Sequence, residues 1–254
     1  MLTHIFTFSQ TGGIPLSDQV PDNWIDYWNW ENFFDHHFAW EKVIDVFLQS
    51  TESILNFTKE DHVLDIGCGP GYLAARLKDK VRRIHGVDTS QRYLDICREK
   101  LKGQSNIHFH PLDRNDYTDL SFLHPEKFNK IVCLGVVHYY DSVSHVEELI
   151  EQVKKVAHPG ASFIIADIVT GKRSFMDTLG YLLDSLRRHY FLKLSRFIYN
   201  IRKSPYNRIL SSKGYLVLSR STLEKIIAAH SLDAVILDQQ LTPNRNRIHL
   251  LIRF

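Results

Sequence analysis

The sequence predicts an α/β protein with a doubly wound, mostly parallel β-sheet. Short apolar segments alternate with amphipathic segments between positions 57 and 170, in units of about thirty residues that are typical of βαβ structure. A glycine-rich turn joins the first apolar segment to the first amphipathic one. Two further apolar segments follow each other at the end of the chain, and such a hairpin adds antiparallel pairing to a parallel sheet.

The N-terminal region, residues 1–56, is predicted as an arm followed by a helical lid. Glycine and proline residues mark positions 1–22 as irregular. From position 22 onward the chain is rich in aromatic residues, and its apolar side chains recur at helical spacing. This pattern predicts one or two helices that end near Asn56.

A core of alternating strands and helices is predicted over residues 57–170. Strand DHVLDIG is followed by helix GYLAARLKDK, and strand RIHGVDTS by helix QRYLDICREKLKG. Two strands come next, NIHFHPLD and KFNKIVCLGVVHYY, and the second is apolar enough to be buried on both faces. Helix SVSHVEELIEQVKKVAHPG is expected to end at Pro159-Gly160, before a fifth strand, ASFIIADIV.

Residues 171–213 interrupt this alternation and are predicted as an inserted helical cap. They show helical periodicity and hold ten Lys and Arg against two acidic residues. Residues 214–254 are expected to complete the core with helix STLEKIIAAHS, capped by Ser221 or Thr222, and strands DAVILDQQ and NRIHLLIRF.

Composition narrows the functional classes. A formal net charge of +2 gives no global reason to expect a nucleic-acid partner. The three cysteines show no pairing or metal-ligand spacing, so we expect buried thiols in a reducing cytoplasm and predict no metal site. The first residues lack the pattern of a signal peptide, and no window reaches the roughly 18 apolar residues of a membrane span.

The turn Gly67-Cys68-Gly69-Pro70-Gly71 carries the main functional signal, because glycine lets the backbone approach a ligand closely. Its GxGxG spacing differs from the GxGxxG of dinucleotide sites, and Asp65 would place a negative charge beside a pyrophosphate. An ammonium group would instead gain a charge-assisted hydrogen bond from this carboxylate. The turn therefore predicts a zwitterionic ligand, with its amine at Asp65 and its carboxylate at backbone N–H groups.

Two further acids follow the next two strands. Asp88 ends the second strand, where a carboxylate can accept both hydroxyls of a ribose. Asp113 is expected to end the third strand, where it would meet an adenine amino group beside the Arg114 backbone. Each aspartate alone is also explained as a helix cap or turn former. Together, an amino-acid tail, a ribose and an adenine across three strand ends predict S-adenosylmethionine, with S-adenosylhomocysteine as product.

These motifs resemble those of class I S-adenosylmethionine-dependent methyltransferases. VLDIGCGPG (63–71) is similar to the family's first motif, GVDTS (86–90) to its acidic second-strand motif, and PLDRND (111–116) occupies the place of its adenine-contacting acid. The resemblance implies a seven-stranded sheet with an antiparallel last strand. It also implies that the Gly135 carbonyl faces the methionine amine, and that Thr89 stands where the family has a large apolar residue.

Methyl transfer from a sulfonium requires alignment and exclusion of water, and a general base only if the acceptor must lose a proton. His138, just past the fourth strand, is the candidate base, with packing as the alternative. Tyr27 is a candidate for contact with the cofactor carboxylate, as in the lids of similar enzymes, or else for core packing. His36 and His37 lie on the same predicted lid, where at most one of them can face the site; surface exposure is the alternative for both.

We expect a small-molecule acceptor, methylated at oxygen, nitrogen or carbon. The cap is expected to select it: its basic residues either form a solvated face or attract an apolar acceptor with an anionic group, or a membrane surface. Nucleic-acid methylation is disfavoured, because LGVVHYY has neither an Asn/Asp-Pro-Pro-aromatic motif nor a Pro-Cys nucleophile. The rivals are an RNA methyltransferase, an NAD-dependent oxidoreductase, and a non-catalytic partner protein on the same fold.

Overall fold

The computed structural model describes residues 20–30, 38–171, 199, 202–244 and 246–254. The predictions for positions 1–19, for His36 and His37, and for most of the cap, 172–198 and 200–201, lie outside these residues.

A seven-stranded sheet forms the centre of the described chain. The strands are β1 (His62–Ile66), β2 (Arg83–Asp88), β3 (Ile107–Pro111), β4 (Phe128–Leu134), β5 (Ala157–Val169), β6 (Asp233–Leu237) and β7 (Arg247–Arg253). Their order is β3-β2-β1-β4-β5-β7-β6. Strands β1 to β5 pair in parallel, whereas β7 is antiparallel to both β5 and β6. The predicted fold class, with its mostly parallel sheet and antiparallel C-terminal strand, is confirmed.

Helices lie along the sheet and at its carboxyl edge. They are α1 (Trp24–Asn29), α2 (Phe38–Ser50), α3 (Glu52–Leu55), α4 (Tyr72–Leu77), α5 (Gln91–Lys100), α6 (Val143–Val156), α7 (Pro205–Ser212) and α8 (Arg220–Ala229). Three helices therefore precede β1 among the described residues, where the sequence predicted one or two; Asn56, with φ +41°, ends the third. No helix within the described ranges is long and apolar enough to cross a membrane.

Neighbouring residues of the central strands enter two separate hydrophobic cores. Leu64 and Ile131 pack into one core with the apolar side of α6, while Val63 and Val132 pack into the other with α4. All four side chains are fully buried. This pattern follows from the period of two along a strand, and it gives the doubly wound arrangement its two covered faces.

Two helix boundaries differ from the prediction. Helix α6 ends at Val156 rather than at Pro159-Gly160, because Ala157 already pairs with Phe128 of β4 and extends the strand over the proline and glycine. Helix α8 is capped by Ser219 rather than by Ser221 or Thr222. The Ser219 hydroxyl accepts from the Thr222 N–H at 3.1 Å, which places the predicted caps inside the first turn.

Candidate functional site

A cavity opens at the carboxyl ends of β1, β2 and β4. It has about 1120 Å³ of empty space, counting the part that is open to solvent. One part of its lining, the first wall, consists of the glycine turn and two acids, and another part, the second or aromatic wall, consists of aromatic side chains. Ligands of open α/β sheets bind at this edge, where the strand order reverses from β2-β1 to β4-β5.

The glycine turn has a conformation that requires its glycines. The N–H groups of Gly67 and Cys68 both donate to the Val87 carbonyl, at 2.8 and 3.0 Å, which fastens the turn to β2. Gly67 has φ +69°, and a Cβ there would lie 2.4 Å from a methyl of Val136. The turn therefore presents bare backbone to the cavity.

Asp65 lies at the base of this wall and is only 4% exposed. Its Oδ2 is buried without a hydrogen-bond partner in the part of the chain that the structure describes. Burial, followed by the nearby charge of Asp88, raises the pKa of the Asp65 carboxyl to about 7. A buried carboxylate without a partner fits a cationic ligand group, since a hydrogen-bonded ammonium would compensate its charge.

The Asp88 carboxylate accepts hydrogen bonds from the backbone and fixes the conformation of the glycine turn. Its Oδ2 accepts from the Gly69 N–H and its Oδ1 from the Ser90 N–H, both at 2.8 Å. Burial raises the pKa of the Asp88 carboxyl to about 6, although the backbone N–H donors lower it in part. Each carboxylate oxygen can accept a further hydrogen bond, so the group both shapes the turn and remains able to receive ligand hydroxyls.

The aromatic wall comes from α1 and from the segment after β4. Trp24 and Trp28 of α1 and Tyr139 and Tyr140 line the cavity. The Tyr139 ring centroid lies 4.9 Å from that of Trp24 and 5.3 Å from that of Trp28. The Ser90 hydroxyl donates to the Trp28 carbonyl at 2.7 Å, which anchors α1 to the start of α5. The wall is therefore a packed surface of rings rather than a charged groove.

Seven predicted cofactor residues line this one cavity. They are Asp65, Gly67, Cys68, Gly69, Asp88, Thr89 and Gly135. Gly71 stands behind the turn at the start of α4 instead, and a Cβ there would lie 2.8 Å from the Cys97 sulfur.

Asp113 and Arg114 lie outside the cavity lining. Strand β3 ends at Pro111, two residues before the predicted strand end, and Asp113 is exposed in a turn where its Oδ1 accepts from the Asn115 N–H at 2.8 Å. The Arg114 guanidinium donates to Asp26 of α1 at 2.7 Å. At this strand end the lining residue is Leu112.

Tyr27 and His138 are also buried away from the lining. The Tyr27 ring packs against Trp24 and Tyr206, with ring centroids 6.3 and 5.4 Å apart. The His138 ring lies 4.9 Å from that of Tyr215, and its carbonyl accepts from the Leu216 N–H at 2.9 Å. Both positions correspond to the packing alternative that the sequence left open.

The sequence did not predict several other lining residues, among them Tyr93, Leu112 and Tyr117. Leu112 immediately follows β3, so its place after a strand was a usable signal. Tyr93 lies one turn into α5, behind its Ser90 cap, and Tyr117 lies in the irregular β3–β4 connection, where no periodic pattern indicates direction.

Residues 57–198, more than half of the chain, match the model of a family described as a methyltransferase domain. The chain belongs to this family. It therefore carries a methyltransferase domain, and the predictions of family, enzyme class and cofactor are confirmed.

Two curated relatives show how far the methyltransferase similarity extends. The chondramide synthase cmdD of Chondromyces crocatus is 29% identical over 210 residues, which is 80% of this chain and 5% of the synthase. A tRNA U34 carboxymethyltransferase of Pseudoalteromonas atlantica is 25% identical over 232 residues, 89% of this chain and 62% of that enzyme. The chain thus spans less than two thirds of the length of either relative.

A solved structure shows the same fold. The magnesium protoporphyrin IX methyltransferase ChlM from Synechocystis PCC 6803, solved with bound SAH, superposes with a TM-score of 0.51 at 15% identity. The superposition covers 88% of this methyltransferase and 87% of ChlM. This likeness concerns the fold alone.

Proposed function

We propose that this methyltransferase transfers the methyl group to a small organic acceptor that binds against the aromatic wall. One observation carries the proposal: a single cavity joins the glycine turn and its two acids to the rings of Trp24, Trp28 and Tyr139. A cofactor on the first wall and an acceptor on the second would share one enclosed space, as direct transfer between them requires.

The residues of the first wall fit the cofactor group by group. Asp65 would receive the ammonium group on its buried Oδ2. The bare backbone at Gly67 leaves room for the amino-acid tail, and the Gly135 carbonyl would accept from the same amine. Asp88 would accept from the ribose hydroxyls, while Thr89 and Leu112, both in the lining, would flank the adenine.

When bound, S-adenosylmethionine supplies an activated methyl group on a sulfonium. The task of the protein is then to hold the acceptor in line with that methyl and to keep water away. The packed rings of the second wall can do both, since they are stiff and apolar. His138 lies outside the lining, so the geometry favours positioning over general-base catalysis.

The ring-lined wall favours an apolar or aromatic acceptor, and the chondramide synthase relative supports a small-molecule substrate. The cap adds a further expectation. Arg202 and Lys203 are exposed on the described part of the cap and would attract an anionic group on the acceptor. An RNA acceptor is the second candidate, because another relative is named a tRNA carboxymethyltransferase.

The test is release of S-adenosylhomocysteine with a panel of acceptors: neutral aromatic phenols and amines, their carboxylated counterparts, and bulk tRNA. We expect turnover with a member of the first two sets. Turnover with tRNA alone would overturn the small-molecule proposal. Cofactor binding without turnover on any acceptor would favour the non-catalytic alternative.

Two variants with a matched control locate the acceptor. Trp28→Ala removes a ring from the second wall and is expected to raise the KM for the acceptor, whereas Val235→Ala changes an exposed residue of edge strand β6 and should leave it unchanged. Arg202→Glu with Lys203→Glu should raise the KM only for anionic acceptors. Equal KM values in all variants would place the acceptor elsewhere.

A further inference from the structure

Two histidines and a glutamate converge on the sheet outside the cavity. His62, His85 and Glu126 each offer a ligand atom, and these three atoms lie within 4.8 Å of one another. None of the three lines the cavity. The group is independent of the methyl-transfer site, and we call it the His-His-Glu group.

Strand register brings the two histidines together. His62 of β1 pairs with Arg83 of β2, and Leu64 pairs with His85. Because side chains two positions apart share a face, His62 and His85 are diagonal neighbours on one face of the sheet, with ring centroids 5.9 Å apart. Glu126 reaches them from the connection that precedes β4.

His85 is the buried member of the group, with 4% of its surface exposed. Its Nδ1 lies 3.2 Å from Nε2 of His110, a hydrogen-bond distance. Its Nε2 is buried and has no hydrogen-bond partner among the residues that the structure describes. A buried ring nitrogen in this state needs an explanation, and a ligand on Nε2 provides one.

His62 also directs one ring nitrogen, Nε2, toward the group. Its Nδ1 lies 3.1 Å from the Lys127 carbonyl, which can only accept, so Nδ1 carries the proton and Nε2 carries a lone pair. That Nε2 is 3.8 Å from Oε2 of Glu126. A histidine that donates one nitrogen to a carbonyl and keeps the other free is the usual arrangement of a metal ligand.

The guanidinium groups of Arg82 and Arg83 both lie close enough to His62 to compete with a bound cation. The Arg83 guanidinium lies 3.5 Å from Oε1 of Glu126, which leaves Oε2 for the group. Phe128 packs on both rings, with centroids 5.6 Å from His62 and 5.3 Å from His85, and restricts their rotation.

We propose that the His-His-Glu group binds a divalent transition-metal ion of the zinc class. Two imidazole nitrogens and one carboxylate oxygen are ligands that Zn²⁺, Co²⁺ and Ni²⁺ share, whereas Mg²⁺ and Ca²⁺ prefer oxygen alone. The fourth position is open to water or to the exposed His108, whose ring centroid lies 4.9 Å from that of His85. The ion would link β1, β2 and the β3–β4 connection, and would thus stabilise the pairing of these two strands.

The test uses tag-free, full-length protein that has been treated with a chelator and then titrated calorimetrically with Zn²⁺. We expect one ion per chain, and affinity on the order of ten- to a hundred-fold weaker in His62→Gln and in Glu126→Gln. The control His158→Gln changes an exposed histidine outside the group and should bind as the wild type does. Zinc should also raise the Tm of the wild type and of the control.

His85→Gln is the most direct variant, but it alters a buried residue, so its fold is checked by circular dichroism. If His85→Gln does not fold, the test rests on His62→Gln and Glu126→Gln, which change partly exposed residues. Wild-type affinity in both His62→Gln and Glu126→Gln, or the absence of one-to-one zinc binding by the wild type, would overturn the proposal. A visible absorption spectrum typical of tetrahedral Co²⁺ in the wild type and in His158→Gln, but not in His62→Gln or Glu126→Gln, would support it.

Discussion

Replacement of Asp65 by Asn tests the cofactor wall at its most informative position. The change keeps the size of the side chain but removes the charge that would face the ammonium group. A hydrogen bond to a charged group contributes about 1.5 to 3 kcal/mol. We therefore expect S-adenosylmethionine to bind on the order of ten- to a hundred-fold more weakly, as measured by calorimetric titration.

The pH dependence of this affinity gives a second, independent signature. Because the pKa of the Asp65 carboxyl is raised to about 7, the group is mostly protonated below pH 7 and cannot pair with the ammonium. Wild-type affinity should rise with pH up to about 7 and fall again above about 8, where an α-amino group loses its proton. The rising limb should be missing in Asp65→Asn.

The stability of the folded protein should change with pH in the direction opposite to the cofactor affinity. The Asp65 carboxyl titrates near 7 in the folded chain and near 3.9 when unfolded, so the folded state holds its proton more tightly between these values. This group therefore lowers the free energy of unfolding as pH rises from about 4 to 7, by about 4 kcal/mol in all. Asp65→Asn should gain Tm relative to the wild type at pH 8 but not at pH 4.

The matched control is Asp233→Asn, which changes an exposed carboxyl on β6. Its affinity and its Tm should follow the wild type across the pH range. Asp65 does not face the ammonium group if Asp65→Asn binds S-adenosylmethionine as tightly as the wild type with the same pH profile. The same follows if the control shows the losses expected of Asp65→Asn.

Two further predictions concern the turn and the core. Gly67→Ala should weaken cofactor binding and lower the Tm, because the added Cβ would lie 2.4 Å from a methyl of Val136. Gly69→Ala has open space around the added Cβ and should lose only about 1 to 2 kcal/mol of stability. Equal thermal unfolding curves for the two variants would contradict this. Leu149→Ala empties a fully buried position of α6 and should lower the free energy of unfolding by about 2 to 5 kcal/mol. Denaturant unfolding measures that loss, and calorimetry should show unchanged cofactor affinity; a lower affinity would mean that the core and the cavity are coupled.

The residues that sequence reasoning placed correctly in the cavity share one property. Asp65, Gly67 and Asp88 lie at the ends of strands that apolar patterning identifies, or directly after them, and parallel strands bring their carboxyl ends to one edge. Backbone topology alone then determines their position. This is why a local pattern was sufficient to predict a shared site.

Side-chain direction was not predictable in the same way. Tyr27 and His138 are adjacent in sequence to residues that line the cavity, but their side chains pack against the rings of Tyr206 and Tyr215 instead. Asp113 belongs to a turn rather than to a strand, and a turn sets its own side-chain hydrogen bonds. Such outcomes depend on packing between distant segments, which the sequence pattern of one segment does not contain.

The His-His-Glu group was missed for a related reason, and the prediction of no metal site rested on cysteine spacing alone. His62, His85 and Glu126 come from two strands and a connection, so no spacing motif joins them. Only the register between β1 and β2 makes the two histidines neighbours. A search for histidines on one face of adjacent predicted strands would have found that pair.

The proposed methylation of a small molecule in this cavity can be tested with labelled cofactor. The most direct measurement supplies methyl-labelled S-adenosylmethionine and a cell extract to the purified protein, and then separates low-molecular-mass compounds from RNA and protein. We predict label in the low-molecular-mass fraction with the wild type, and a loss of that label with Asp65→Asn. Label that appears only in RNA or protein, or label that does not depend on Asp65, would contradict the account.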